Sequence, residues 1–373
     1  MRLAIVVHVT GTLVRLFSPA FLAPVGVAWI YGEWRDLLGF LATFAATWVV
    51  GTAMRRAARH EHTELENLRR IEGFAITAAT WMVVAHFAAV PYMWTHDTYV
   101  DALFESMSGL TTTGATIFTD FTRYGRSVFF WRALTHWVGG LGVIALFIAV
   151  LPRLGVGGRE LFFAEAAGPT DEKLTPQLRD TAIALWKVYA GLTAAQVTLL
   201  VIAGMPLFDA VCNSFATLAA GGFSPHPLSI AGYQNAAVDW IVTVFMFIAG
   251  ANFALQYRAI RDSRNALVQD EEFRAYTAIV LIATMLVTFF LLQQDMSLHD
   301  SVRHAAFQVA SILTTTGFAS QDFAMWSDQA KMVLLLLMFI GGCAGSAGGG
   351  PKVVRHVLMA RLTIRELRRT LHP

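Results

Sequence analysis

Apolar positions along this chain fall into long, nearly unbroken runs. A helical membrane span needs about 20 mostly apolar residues. The runs predict spans near Leu13–Tyr31, Asp36–Ala53, Phe74–Tyr92, Phe129–Leu151, Ile183–Ala203, Trp240–Tyr257, Ala275–Leu292 and Lys331–Val354. Between the third and fourth, the fifth and sixth, and the seventh and eighth lie shorter amphipathic stretches that cannot cross a bilayer. The expected order is a leading pair of spans, then span, half-length re-entrant helix with loop, span, three times over. Backbone that enters a bilayer without spanning it survives only against protein or a water-filled cavity. Three such segments at matching places predict a shared pore in an all-α integral membrane fold. The expected divisions are 1–70 (two spans and a basic linker), 71–180, 181–272 and 273–373, one repeat in each of the last three.

The short stretches are copies of one another. Aligned on a glycine they read DALFESMSGLTTTGA (101–115), DAVCNSFATLAAGGF (209–223) and HAAFQVASILTTTGF (304–318), with the glycine at Gly114, Gly222 and Gly317. Alanine follows the first residue each time, at Ala102, Ala210 and Ala305. A polar residue stands nine before each glycine: Glu105, Asn213 and Gln308. Each copy predicts a short helix followed by a small-residue segment rich in Thr and Gly. Asp101 and Asp209 are the expected caps of the first two helices, and Asp300 or Ser301 of the third, where His304 replaces the aspartate. The C-terminal end of each helix, with its partial negative charge, then favours a cation at mid-membrane. The expected ligands are main-chain carbonyls of Thr111, Thr112, Thr113 and Gly114, of Ala220, Gly221 and Gly222, and of Thr314, Thr315, Thr316 and Gly317. Threonine hydroxyls can supplement them in the first and third copies but not at Ala219 and Ala220. A structural alternative, Thr/Gly turns in an ordinary helical bundle, explains one copy better than three. Because two of the three residues at the Glu105 position are uncharged amides, the position reads as support for the loop behind the ion path, with negative potential in the pore as a further role for the Glu105 charge. Phe223 and Phe318, after their glycines, read as wedges against neighbouring helices.

Composition agrees with a membrane protein. The 373 residues are 55% hydrophobic and 14% charged, against about 25% charged in soluble domains, and mean hydropathy is +0.53. A net charge of +2 gives no nucleic-acid signature. Met1–Ser18 lacks a small-residue cleavage site and reads as part of the first span. Cys212 and Cys343 have no metal-ligand company and read as small buried residues. Arginine and lysine concentrate after the second, fourth, sixth and eighth spans, placing those linkers and both termini in the cytoplasm. Met54–Arg70 and Pro351–Pro373 are expected to be solvated cytosolic helices, and the three short stretches dip in from outside. His86, His136 and Lys187 are intramembrane ionisable residues. The histidines read as interior residues and Lys187 as a snorkelling one, with a gating role for His136 or Lys187 as the alternative.

A second glycine-rich stretch, FIGGCAGSAGGGPKVVR (339–355), interrupts the last span. It does not give the phosphate-binding spacing G-x-x-x-x-G-K-[ST], and no strand precedes it, which excludes a nucleotide loop. Its glycines weaken the helix and predict a movable segment beside the ion site, a gate. Gly139, Gly140 and Gly142 suit close helix packing instead. No catalytic motif stands on a span face, so an enzyme is not expected.

SGLTTTGAT, SFATLAAGGFSPH, FQVASILTTTGF, FIGGCAGSAGGGPKVVR and LPRLGVGGRELFFAEAAGP (151–169) together resemble the Trk/Ktr/HKT superfamily of potassium transporters, on the side of its bacterial TrkH members. The resemblance covers nearly the whole chain. It implies potassium-channel-like repeats, potassium as the transported ion, no covalent cofactor, a homodimer in the bacterial inner membrane and control by a cytosolic nucleotide-binding subunit of the TrkA type. It maps the family's selectivity glycine onto Gly114, Gly222 and Gly317. It maps the intramembrane gating loop onto Gly341–Gly350, with Gly341, Gly342, Gly345, Gly348, Gly349 and Gly350 as its glycines. Glycine at position 114, rather than serine, leans towards potassium over sodium. The family has four span–re-entrant–span units and three are legible here, so the expectation is either a truncated or split product or a second polypeptide that supplies the fourth. Other readings stay open: a non-conducting assembly subunit, a sodium-permeable relative, and a carrier of a small organic solute.

Overall fold

The computed structural model describes residues 2–58, 69–95, 98–140, 142, 178–261 and 265–371. Among the described residues every regular element is helical. Among the same residues five helices are long and apolar enough to cross a membrane, and a bent helix pair makes a sixth candidate. The chain divides within one helix, at Trp186 and Lys187, into two compact units.

In the first unit, α1 (Leu3–Phe17), a 3₁₀ turn at Ser18–Phe21 and α2 (Leu22–Tyr31) form one apolar run of 29 residues. The first span thus starts at Leu3 rather than Leu13. An ion pair anchors the early start: the guanidinium of Arg2 reaches Glu72 at 2.7 Å, and the Arg2 backbone N–H donates to the same carboxylate at 2.9 Å. Gly32, left-handed at φ 72°, ends α2 and turns the chain into α3 (Trp34–Ala57). α4 (Arg70–Met93) carries Pro91 in its last turn. The short α5 (Tyr99–Leu110) and α6 (Arg126–Gly140) complete the unit. The carboxylate of Glu33 caps α6, accepting from the backbone of Arg126 at 2.6 Å and Ser127 at 2.9 Å. The fourth expected span is described as α6 to Gly140; its continuation over 143–151 lies outside the described residues, as does 59–68 of the basic linker.

α7 (Leu178–Ile202) runs into the second unit, followed by the short α8 (Leu207–Leu218). The sixth expected span, Trp240–Tyr257, is not one helix. It is α9 (Ala236–Ala249) and α10 (Phe253–Arg261), bent by 97°. At the break the Asn252 carboxamide oxygen accepts from the N–H groups of Ala254 at 2.8 Å and Leu255 at 3.1 Å, restarting the helix in a new direction. After α11 (Asn265–Gln269) come α12 (Glu271–Leu292), α13 (Leu298–Leu313) and α14 (Asp328–Leu337). The glycine-rich stretch then departs from helix until α15 (Val353–Leu371), an amphipathic helix exposed almost throughout.

Lipid offers no hydrophobic gain for bringing two helices together, so close van der Waals approach does it, through small residues. α1 and α3 cross at Gly11 and Gly51. A Cβ on Gly51 would lie 2.7 Å from the Arg15 backbone nitrogen, and one on Gly11 2.6 Å from the Met54 Cβ. The expected outcome for Gly51→Val is a loss of about 1–3 kcal/mol from overpacking, read as a lower thermal midpoint in detergent. Gly26→Ala, where an added Cβ meets nothing within 4 Å, is expected to hold the midpoint or raise it.

Candidate cation site

Each Thr/Gly segment begins where a short helix stops. The helices are capped three residues before the aspartates expected to cap them. Thr98 and Ser297 accept from the backbone of Asp101 at 3.3 Å and Asp300 at 3.2 Å, and donate back to those carboxylates at 2.7 and 2.8 Å. Pro206 holds the corresponding place before Asp209, with no side-chain cap. The aspartates therefore sit in the first turn, where their charge meets the positive end of the helix dipole. α13 has 16 residues against 12 in α5 and α8, so its cap falls one turn earlier and His304 lies inside the helix.

All three helices end the same way. The N–H two residues before the glycine donates three back: Thr112 to Gly109, Ala220 to Thr217, Thr315 to Ile312. The next N–H donates five back: Thr113 to Ser108, Gly221 to Ala216, Thr316 to Ser311, all at 2.9 Å. This is a Schellman motif, whose left-handed residue is normally glycine. Here it is Thr112, Ala220 and Thr315, at φ 54°, 53° and 57°. Left-handed backbone at a non-glycine residue costs about 1–2 kcal/mol. The conserving feature is geometric: the glycines two residues on, Gly114, Gly222 and Gly317, are left-handed as well, at φ 74°, 82° and 83°. Each segment thus goes left-handed, right-handed or extended, left-handed.

The consequence is a set of unpaired acceptors. Among the described residues, the carbonyls of Thr111–Gly114, Ala219–Gly222 and Thr314–Gly317 accept no hydrogen bond from the protein. Four of the threonine hydroxyls expected to help them are engaged elsewhere. Thr111 and Thr113 share a hydrogen bond at 2.8 Å, as do Thr314 and Thr316 at 2.7 Å, and Thr314 also donates to the Ala310 carbonyl.

The residue nine before each glycine lies behind its segment. Glu105, fully buried, accepts from the Thr116 hydroxyl at 3.0 Å, the Ile117 N–H at 3.1 Å and the Arg132 guanidinium at 2.7 Å. Arg132 also lies 4.4 Å over the Phe118 ring and donates to Thr116. Asn213 donates to the Tyr233 hydroxyl at 3.1 Å, and Gln308 to the Phe318 carbonyl at 3.5 Å. Ser108 and Ser311 make a further tie, donating to the carbonyls of Ala115 and Phe318, each at 2.6 Å. Phe223 and Phe318 are buried in one apolar cluster with Leu200, Val242 and Phe307. His136 is buried, His86 is exposed and bonded to the Met82 carbonyl, and Lys187 is exposed. Cys212 and Cys343 are free and buried.

In the second unit two segments and the glycine-rich stretch meet. The Ala231 N–H donates to the Ala319 carbonyl at 2.9 Å, and a Cβ on Gly222 would strike the Thr316 carbonyl. The Gly349 N–H donates to the Thr315 hydroxyl at 2.7 Å, and a Cβ on Gly348 would lie 2.9 Å from the Thr314 carbonyl oxygen. Gly341 and Gly350 face each other where the stretch closes on itself, the Gly341 N–H donating to the Pro351 carbonyl at 2.8 Å. Gly342 packs on Ser346 and the Gly250 backbone, and Gly345 on the Asn252 carboxamide. The other side is the α9–α10 break: Cys343 and Ala347 donate to the carbonyls of Gly250 and Ala249, and Phe253 donates to Gly345. Sequence reasoning missed this break and Arg132, although an arginine inside a predicted span is itself a signal. In the first unit Gly139 packs directly on the Leu110 carbonyl at the end of α5.

Two substitutions probe this geometry. Ala220→Gly is expected to stabilise the protein by up to about 1 kcal/mol, the left-handed penalty relieved less the added chain entropy. Glu105→Ala, which leaves Arg132 buried without its partner, is expected to cost about 3–5 kcal/mol; Glu105→Gln, still an acceptor for Ile117, is expected to cost less. Both are read from thermal midpoints in detergent.

Residues 39–373 match the family model described as TrkH, cation transport protein. The chain is 38% identical over 384 residues to the Trk system potassium uptake protein TrkH of Escherichia coli K12, covering all of this chain and 78% of that protein. It is 37% identical over 376 residues to the Trk system potassium uptake protein TrkG of the same organism, covering 99% and 76%. The crystal structure of the potassium transporter TrkH from Vibrio parahaemolyticus superposes with a TM-score of 0.87 at 35% identity, covering 100% of this chain and 77% of that one.

Proposed function

The chain belongs to the TrkH family of cation transport proteins, and from that premise we propose that it carries potassium into the cell through the main-chain carbonyls of its Thr/Gly segments. The family transports cations and is not one of enzymes. One observation carries the reading: three helix ends share a left-handed residue, a left-handed glycine and a run of carbonyls with no partner. A carbonyl buried at membrane depth without a donor is costly. A dehydrated monovalent cation supplies the missing partner, and a backbone already held in strained dihedrals needs little rearrangement to receive it. The names of the relatives, potassium uptake proteins and a potassium transporter, support potassium as that cation.

The glycine-rich stretch acts as the gate. It lies against the third segment through Thr315 and Thr314, so its displacement opens the inner side of that segment. Glu105, Asn213 and Gln308 act as supports that keep the carbonyls in place. The protein works as a homodimer in the bacterial inner membrane, termini cytoplasmic, under a cytosolic nucleotide-binding subunit of the TrkA type, as the family resemblance implies.

The test is growth of a potassium-uptake-deficient bacterium at low potassium, with this chain supplied alone and with a fourth repeat in trans. Growth is expected with the parent, and its loss with Gly222→Ala, whose new methyl would meet the Thr316 carbonyl. Undiminished growth with Gly222→Ala at equal membrane abundance would sink the carbonyl pathway. Deleting Gly345–Gly349 is expected to raise rubidium influx in the same cells, and an unchanged influx would count against the gate.

A further inference from the structure

The glycine-rich stretch is held at both ends by a single oxygen. Glu272, in the first turn of α12, accepts through Oε1 from the N–H of Ala344 at 2.8 Å and of Val354 at 3.0 Å. Between these two points the stretch touches Thr315 through Gly349 and the α9–α10 break through Ala347. Those intermediate contacts are neutral hydrogen bonds. The two to Glu272 are charge-assisted, and such bonds are roughly twice as strong. Lys352, inside the stretch, donates to the Gly348 carbonyl, tightening the stretch on itself, and its charge also faces Glu272. The adjacent Glu271 faces the other way, pairing with Arg361 of α15 at 2.6 Å.

We propose that Glu272 is the positioning residue of the gate, a clamp whose carboxylate fixes both ends of the glycine-rich stretch to α12 and thereby seats Gly349 on Thr315. The functional consequence rests on the gate reading above; the clamp itself rests on the geometry. A segment pinned at Ala344 and Val354 by one oxygen cannot swing from either end without giving up that bond. Withdrawing the carboxylate frees both ends together. α12 is therefore the element through which a movement elsewhere in the protein would reach the gate. The left-handed Gly345 and Gly350, at φ 73° and 72°, stand just inside the two pinned positions, where the released stretch would pivot.

The stretch carries its own reporter. Cys343 is 1% exposed and adjoins the clamped Ala344, while the other thiol, Cys212, is 0% exposed in α8. The experiment follows N-ethylmaleimide labelling of each cysteine in membranes holding the full chain, alongside rubidium influx. Glu272→Ala, losing two charge-assisted bonds, is expected to raise the Cys343 rate about tenfold or more, to leave Cys212 protected, and to raise influx. Glu272→Gln keeps an acceptor oxygen but loses the charge, and is expected to place Cys343 labelling and influx between the parent and Glu272→Ala values. Unchanged labelling of Cys343 in Glu272→Ala would overturn the clamp. An equal rise at Cys212 would overturn it too, by assigning Glu272 to the fold as a whole. Faster Cys343 labelling with unaltered influx would uphold the clamp and remove the gate instead.

Discussion

A carbonyl at membrane depth has no water to turn to, and that single scarcity organises this protein. Helices answer it by pairing every interior carbonyl within the chain. Where a helix must stop inside the bilayer, the freed acceptors need donors from the protein or a positive ion. At α5, α8 and α13 the Schellman bonds recover only the carbonyls two and one places before the last helical residue, Ser108 and Gly109 in the first copy and their equivalents in the others. The next carbonyls are left over. That they are left over three times, at the same offsets and with the same signs of φ, makes them a shared feature of the copies rather than a local defect.

The same scarcity is met differently at the other two interruptions. α9 breaks at Gly250–Asn252, exposing the carbonyls of Ala249 and Gly250, and the last helical run breaks over the glycine-rich stretch, exposing N–H groups. Each break satisfies the other: Cys343 and Ala347 donate to Gly250 and Ala249, and Phe253 donates back to Gly345. Neither irregular segment would be stable alone in lipid. The pairing requires contact closer than a side chain allows, which is why Gly342 meets the Gly250 backbone. Asn252 serves both sides, capping α10 and packing on Gly345.

Much of this was legible in the sequence. The five long spans followed from run length, whereas the expected span at Lys331–Val354 is the ten-residue α14 and then the glycine-rich stretch; the three copies followed from a shared register of Ala, polar residue and glycine. The glycine-rich interruption before α15 was legible because so many adjacent glycines cannot hold a helix. What escaped was whatever depends on partners far away in the chain. The 97° bend of α9–α10 was hidden inside an apolar run, because Gly250 alone does not break a helix; the donors of Cys343 and Ala347 make the break affordable. The caps were misplaced by one turn at Asp101 and Asp300 because an aspartate three residues after a threonine or serine reads equally well as a cap and as a first-turn acid that accepts from the cap hydroxyl. Arg132 and Glu272 drew no notice, as single charges near predicted span ends, until their partners at Glu105 and at Ala344 and Val354 were in view.

The three copies are alike in backbone and unlike in what surrounds it. The first is backed by an ion pair, Glu105 with Arg132, and the other two by amides. The second has no hydroxyl at its left-handed position, which is Ala220, and its glycine instead abuts the third copy. The third places a threonine there, and the Thr315 hydroxyl takes the Gly349 N–H. Were the left-handed residue glycine in every copy, the strain would vanish, but so would the Thr315 side chain that, among the described residues, joins the third carbonyl run to the glycine-rich stretch. The tolerance of strain at Thr315 is thus explained by the contact it makes. At Ala220 no such contact exists, and there the left-handed penalty has only the register of the neighbouring carbonyls to show for it.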